Sequence, residues 1–219
     1  MSSKNEMEER MAEMKARYFA PRIVLVGVVL LASVLASTHE VLAQNWYAGN
    51  GRDNTYGIRA NIQAPAGGIY LAQDGESNWV STAYGDWIQA GWRYYVGYSV
   101  PRPYVEVVIG GSYDLDEYGT QSWGTAIEYR VEYDGSSTWN AYIDGTHRGG
   151  FGPHSVPRTV FALSEVHNNS ANELNTQFSY VKYRNSSYNW VFFDQNKWIY
   201  DAPYSVTQSL YYQYRTYGP

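Results

Sequence analysis

The chain has 219 residues, a formal net charge of −5 and no cysteine, which excludes disulfides and thiolate-held zinc or iron–sulfur centres. It contains no cluster of Lys and Arg that could neutralise a phosphate backbone, which argues against nucleic acid as a partner. Aromatic residues make up 17% of the chain, and this abundance favours strands over helices.

Residues 1–43 have the organisation of an export signal. Five basic residues precede an uncharged apolar stretch at residues 23–36, which is shorter than the roughly 20 residues that a membrane-spanning helix needs. We therefore predict a hydrophobic signal helix, cleaved between Ala43 and Gln44. The alternative is an uncleaved signal anchor, the only case in which a membrane is a partner. Either case places the rest of the chain outside the cytoplasm, secreted or at the cell surface.

The segment that follows, residues 44–54, is rich in Gly and Asn and is predicted to be a flexible lead-in. A period of two then begins at Tyr56 and continues to Gln63, before Pro65 and a glycine turn. A single β domain is therefore predicted to cover residues 55–219.

The rest of the chain reads as a succession of short strands and turns. Asp134-Gly135 and Asp144-Gly145 are dipeptides that tight hairpins favour. Strand patterns occupy residues 78–82, 86–96, 102–109, 125–133, 138–143, 158–166, 177–184, 188–193 and 206–214. About ten strands at this spacing, with no helix after residue 44, predict an all-β antiparallel sandwich of jelly-roll or concanavalin-like type.

Two of these strands carry polar side chains among apolar ones. Alternation places Gln89 on the strand face of Trp87, Arg93 and Tyr95, opposite Ile88, Ala90, Trp92 and Tyr94. On residues 158–166 and just beyond, Glu165 and His167 share the face of Phe161 and Leu163. The simplest interpretation is that Gln89 faces solvent and Glu165 is a strand-end carboxylate with an ordinary partner.

Other catalytic patterns are missing from the sequence. No Gly-x-Ser-x-Gly surrounds any serine, and no His-Glu-x-x-His motif occurs. These absences argue against a serine hydrolase with a nucleophile elbow and against a zinc peptidase. We expect no metal and no cofactor.

The two polar strands nevertheless resemble those of the glutamic peptidases of the eqolisin group and, more loosely, plant neprosin-type domains. The resemblance covers residues 56–206. It depends on Asn78-Trp79-Val80, Ile88-Gln89-Ala90-Gly91, Tyr104-Val105-Glu106 and Ser164-Glu165-Val166, in that order. The chain departs from the family after Glu106, where Val107-Val108 replaces an aromatic-rich motif, and no Trp follows Glu165.

The resemblance implies an enzyme that hydrolyses peptide bonds at acidic pH with a glutamine and a glutamate as a catalytic pair. Gln89 and Glu165 match these two positions, with Glu165 as general base and the Gln89 amide orienting the water and donating to the oxyanion. Desolvation in an aromatic cleft can raise a carboxyl pKa, which suits work in acid. The predicted substrate-binding residues are Trp79, Trp87, Tyr95, Tyr104, Glu106 and His167.

Two other functions fit the same composition. An exported glycan-binding module would stack sugar rings on exposed aromatic side chains, with Trp87, Tyr95, Trp123 and Trp139 as candidates. A surface-structural domain held by an uncleaved anchor is the third alternative. The expected partner is therefore a polypeptide substrate or an extracellular glycan.

Overall fold

The structure is a computed structural model that describes residues 45–71, 74–82, 85–152, 156–168, 170–194 and 197–219. The predicted signal segment, residues 1–43, lies outside these residues. All regular secondary structure in the described part of the chain is β-strand, which confirms the all-β prediction. The strands are β1 (Asn45–Thr55), β2 (Gly57–Gln63), β3 (Gly75–Thr82), β4 (Trp87–Tyr95), β5 (Arg102–Ile109), β6 (Ser112–Glu117), β7 (Ala126–Tyr133), β8 (Trp139–Ile143), β9 (Thr146–Phe151), β10 (Arg158–His167), β11 (Leu174–Arg184), β12 (Trp190–Phe192), β13 (Trp198–Tyr200), β14 (Ser205–Leu210) and β15 (Gln213–Gly218). The described residues contain no helix that could cross a membrane.

The strands form two antiparallel sheets that pack face to face as a sandwich. The first sheet has seven strands in the order β13-β1-β10-β3-β4-β5-β6. The second has eight in the order β14-β15-β11-β2-β7-β8-β9, with β12 paired to β11. In the first sheet, three neighbouring pairs join strands that are distant in sequence, namely β13–β1, β1–β10 and β10–β3. Residues far apart in the chain therefore become neighbours on one surface.

The core lies between the sheets and is built by the apolar positions that alternation predicts. Ile88, Ala90 and Trp92 of β4 are fully buried there, as are Tyr129 and Val131 of β7. The polar positions that alternate with them face away from the core. At the β8–β9 hairpin, Asp144 and Gly145 both have positive φ, of 49° and 72°, as a tight two-residue turn requires.

The predicted lead-in was wrong, because residues 45–55 form β1, a central strand paired to both β10 and β13. The domain therefore begins about ten residues earlier than expected. The glycines of this segment serve close packing rather than flexibility. A Cβ atom at Gly49 would lie 2.8 Å from the Leu163 side chain, and one at Gly51 would lie 2.5 Å from the Phe161 ring.

The sequence reading also missed β6, β9 and β13, and took β14 and β15 for one strand. β6 and β9 are the outer strands of their sheets and are mostly exposed, so they lack the apolar alternation that marks a half-buried strand. β14 and β15 are joined by Tyr211 and Tyr212, which give no glycine or proline signal for a turn.

A string of polar side chains crosses the otherwise apolar interior. Asn78 Nδ2 donates to Glu76 Oε1 at 2.7 Å, Ser164 Oγ donates to Asn78, and the hydroxyls of Ser164 and Thr216 lie 2.7 Å apart. Ser164 belongs to the seven-stranded sheet and Thr216 to the eight-stranded one. Glu76 is completely buried, and its Oε2 has no hydrogen-bond partner among the described residues.

Candidate active site

All eight predicted site residues lie on one face of the seven-stranded sheet, the face that points away from the core. The cross-strand register establishes this, because directly paired residues of neighbouring antiparallel strands project to the same side. Three adjacent rows of paired residues cross the middle of this face. They are Glu165–Ser77–Arg93, Leu163–Trp79–Gly91–Tyr104 and Phe161–Ser81–Gln89–Glu106.

Although this face is turned away from the second sheet, its central side chains are buried. Gln89 is 6% exposed, Glu165 9%, Trp79 7% and Tyr104 0%. Burial of an amide and a carboxylate at such positions contradicts the simplest interpretation from sequence, in which Gln89 is a solvent-facing strand residue. Buried polar groups need partners, and both of these residues have them.

Glu165 accepts three hydrogen bonds from neutral donors. Asn45 Nδ2 and Tyr47 OH contact its Oε1 at 2.5 Å and 3.1 Å, and Trp79 Nε1 contacts its Oε2 at 3.1 Å. Asn45 and Tyr47 belong to β1, which pairs with β10 so that Tyr47 lies directly opposite Glu165. The sequence reading missed both residues because it treated β1 as a flexible segment.

Gln89 is held by two residues of β5. Its Nε2 donates to Tyr104 OH at 2.8 Å and to Glu106 Oε2 at 2.9 Å. Both hydrogens of the amide nitrogen therefore have acceptors, while its carbonyl oxygen is not used in either contact. Tyr104 and Glu106 were predicted to bind substrate, and the structure places both in contact with the predicted catalytic glutamine.

The row that separates Gln89 from Glu165 connects them indirectly. Its Trp79 hydrogen-bonds Glu165, and its Tyr104 hydrogen-bonds Gln89. Between these two side chains stands Gly91, whose missing side chain is required because a Cβ atom would lie 2.7 Å from the Trp79 Cα atom. Position 91 therefore contributes nothing that would separate the aromatic side chains on either side of it.

The surroundings of Glu106 in the site raise the pKa of its carboxyl group. Burial, followed by the nearby negative charge of Glu165, raises the pKa of Glu106 from its ordinary value to about 8. Hydrogen bonding from Gln89 and the positive charge of Arg93 oppose this rise. In neutral and acidic solution Glu106 is therefore an uncharged carboxylic acid. Its contact with Gln89 then adds no negative charge to the site.

The other predicted residues lie around this centre. His167 Nε2 is 3.2 Å from Ser77 Oγ and 3.4 Å from Tyr95 OH, and its ring lies against that of Tyr95 at a centroid distance of 5.6 Å. Burial, then the charge of Glu165, raises the pKa of Tyr95 to about 12, so this hydroxyl remains protonated. Trp87 lies one row beyond Gln89, paired with Val108.

The structure corrects part of the glycan hypothesis. Trp139 is completely buried in the core between the sheets, so it cannot stack on a sugar. Trp123 is half-buried and packs edge-on against Tyr94 at a centroid distance of 4.9 Å.

Within the described residues, no three His, Asp or Glu side chains are grouped so that they could hold a metal ion.

Comparison with solved structures shows a glutamic-peptidase-like fold. Scytalido-glutamic peptidase, solved with a peptide-based transition-state analogue, superposes with a TM-score of 0.58 at 12% identity, over 80% of this chain and 98% of that one. SCP-B, a member of the eqolisin family solved with the tripeptide Ala-Ile-His, superposes with a TM-score of 0.55 at 11% identity and the same coverage. At this identity the likeness concerns the fold alone.

The other comparisons add little. A carbohydrate-binding module from Bacillus subtilis overlaps only 57% of this chain, with a TM-score of 0.34. No family model matches the sequence, and no curated protein matches it.

Proposed function

We propose that this protein hydrolyses peptide bonds in acidic solution, using Glu165 and Gln89 as the catalytic pair. The observation that supports this most directly is the burial of a carboxylate and an amide on one face of one sheet, with Trp79 and Tyr104 joining them through the row between. A surface that only had to be soluble would leave such groups exposed to water.

In the proposed reaction, Glu165 acts as the general base. Its carboxylate takes a proton from a water molecule while the water oxygen bonds to the carbonyl carbon of the substrate. The resulting oxyanion accepts a hydrogen bond from the Gln89 amide. The proton then passes from Glu165 to the leaving nitrogen, and the C–N bond breaks.

The contacts of Gln89 define what substrate binding must change. Because both amide hydrogens have acceptors in the free protein, one of the bonds to Tyr104 or Glu106 has to be exchanged for the bond to the oxyanion. The remaining bond would keep the amide oriented. A neutral Glu106 assists this exchange, because an uncharged acceptor holds the amide less strongly than a carboxylate does.

The test of this proposal is hydrolysis of casein and of short peptides at about pH 3 to 5, near the ordinary pKa of a glutamate. We expect Gln89→Ala to lower kcat/KM by about 10²–10³-fold, the typical cost of losing one oxyanion donor. Gln208→Ala is the matched control, because Gln208 is an exposed strand residue of the other sheet. Glycan binding without hydrolysis by the wild type would favour the binding module instead.

We further propose that the protein acts outside the cytoplasm, as the signal-like residues 1–43 suggest. Sequencing the N-terminus of the protein recovered from the medium or the cell surface tests this. A start at Gln44 supports export with cleavage, an intact N-terminus on surface-bound protein supports the anchor, and retention in the cytoplasm contradicts both.

A further inference from the structure

Two arginines face each other at one end of the site face, which is the face of the seven-stranded sheet that carries Gln89 and Glu165. Arg93 of β4 and Arg102 of β5 are direct cross-strand partners, and they project to the same side as Gln89 and Glu165. Like charges placed directly opposite each other in a sheet are destabilising. Glu117 of β6 lies between them and bonds to both, to Arg93 Nη2 at 2.6 Å and to Arg102 Nη1 at 2.8 Å.

One carboxylate does not neutralise two guanidinium groups. Burial by itself would raise the pKa of Glu117, but hydrogen bonds from Tyr98, Arg102 and Arg93 lower this pKa below its ordinary value. Glu117 therefore keeps its negative charge in moderately acidic solution. The group as a whole carries one surplus positive charge, while the chain has a net charge of −5.

The arginines keep donors that Glu117 does not use. Arg93 contacts Glu117 through Nε and Nη2, so its Nη1 takes no part in this ion pair. The side chain of Arg102 is 45% exposed and uses only Nη1 for Glu117. The guanidinium carbon of Arg102 lies 4.3 Å from the centre of the Tyr98 ring, so its head group is held rather than free to swing.

Arg93 places its positive charge close to the proposed catalytic centre. Arg93 is in the same cross-strand row as Glu165, with Ser77 between them. Its guanidinium carbon lies 5.9 Å from the centre of the Tyr104 ring, and the Tyr104 hydroxyl holds Gln89. A peptide lying across Gln89 and Glu165 would therefore place neighbouring residues near Arg93 and Arg102.

We propose that Arg93 and Arg102 form a subsite that binds an anionic group of the substrate, so that the protein prefers peptides with a negative charge to one side of the cleaved bond. This inference rests on the proposed function. The anion is either an acidic side chain or the C-terminal carboxylate, since a guanidinium fork binds both in the same way. Arg102, the more exposed of the two, makes the contact that sets the preference.

The experiment uses peptides that differ in one group only. Cysteic acid is compared with asparagine at each position around the cleaved bond, because its sulfonate stays ionised in acid, and a free C-terminus is compared with its amide. We expect kcat/KM to rise about tenfold for the anion at one position, which corresponds to about 1.4 kcal/mol. The position of the rise distinguishes a side-chain anion from the chain end.

Arg102→Gln should bring this ratio close to one, because it removes the guanidinium group that binds the anion. Glu117→Gln should increase the ratio, because it frees both guanidinium groups, whereas a merely structural role for Glu117 would not raise it. Arg215→Gln, at an exposed position of the other sheet, is the control. An unchanged ratio in Arg102→Gln, or no preference in the wild type, would overturn the inference.

The same peptides separate this inference from the proposed function. If the wild type cleaves none of them, the proposed function fails, and their dissociation constants are measured by calorimetry instead. Tighter binding of the sulfonate peptide that Arg102→Gln removes would still support an anion-binding subsite, and equal binding of both peptides would refute it.

Discussion

Glu165→Gln is expected to lower kcat/KM for peptide hydrolysis by about 10²–10⁴-fold, the usual contribution of a general base. The replacement keeps the shape of the side chain but removes its ability to accept a proton. The effect should appear at every pH at which the wild type is active, because the variant has no titratable group at this position.

This variant should still fold, with a lower stability than the wild type. Glutamine can still accept hydrogen bonds from Asn45 and Tyr47 with its oxygen, but its amide nitrogen then faces the N–H of Trp79. This one mismatched contact should cost about 1–3 kcal/mol.

Thermal unfolding of wild type and Glu165→Gln, measured beside the hydrolysis assay, separates a chemical loss from a structural one. Glu128→Gln provides the control, since Glu128 is a half-buried glutamate of the second sheet. Equal turnover by wild type and Glu165→Gln would remove Glu165 from the mechanism.

Glu76→Gln is expected to change how the stability of the protein depends on pH. Burial raises the pKa of Glu76 well above its ordinary value, and the negative charge of Glu173 adds to the rise, although the hydrogen bond from Asn78 opposes it. The folded protein therefore keeps a proton that the unfolded chain loses near pH 4.5. Stability must fall as the pH rises from there toward the folded pKa.

In the variant this contribution is absent. Glutamine should make the protein less stable than wild type at about pH 4, by about 1–3 kcal/mol, because its NH2 group buries two donors without a partner where the protonated carboxyl buries one. It should make the protein more stable than wild type in alkaline solution, where Glu76 would have to be buried with a charge. The two stability curves should therefore cross.

Urea unfolding across the pH range measures the difference between Glu76→Gln and wild type. This difference isolates Glu76 from Glu106, whose raised pKa also makes the wild type less stable as the pH rises from about 4.5 to 8. Parallel curves for the two proteins would show that Glu76 does not control the stability.

Alternation predicted the strand faces correctly wherever one side of a strand packs on the core. It placed Gln89 opposite Ile88 and Trp92, and Glu165 with Phe161, because the period of two is dictated by burial. It failed at β1, where Gly49 and Gly51 fit against the side chains of β10 and remove the apolar signal. Asn45 and Tyr47 were lost with that strand.

The partners within the site could not be read from periodicity at all. That Gln89 contacts Tyr104 and Glu106 follows from the register between β4 and β5, which depends on how the sheet is assembled rather than on either strand alone. The interior position of Glu76 was equally hidden. A carboxylate on the core side of a strand is uncommon, and its sequence neighbours look like those of an exposed one.

The location of all eight predicted site residues on one sheet leaves the second sheet available for attaching a label. The Asp144–Gly145 turn joins β8 to β9 in that sheet, and neither residue belongs to the site face. A fluorescent label or an immobilisation tag inserted there would be attached to the second sheet. The protein could then be fixed to a surface while its site face stays accessible to dissolved peptides.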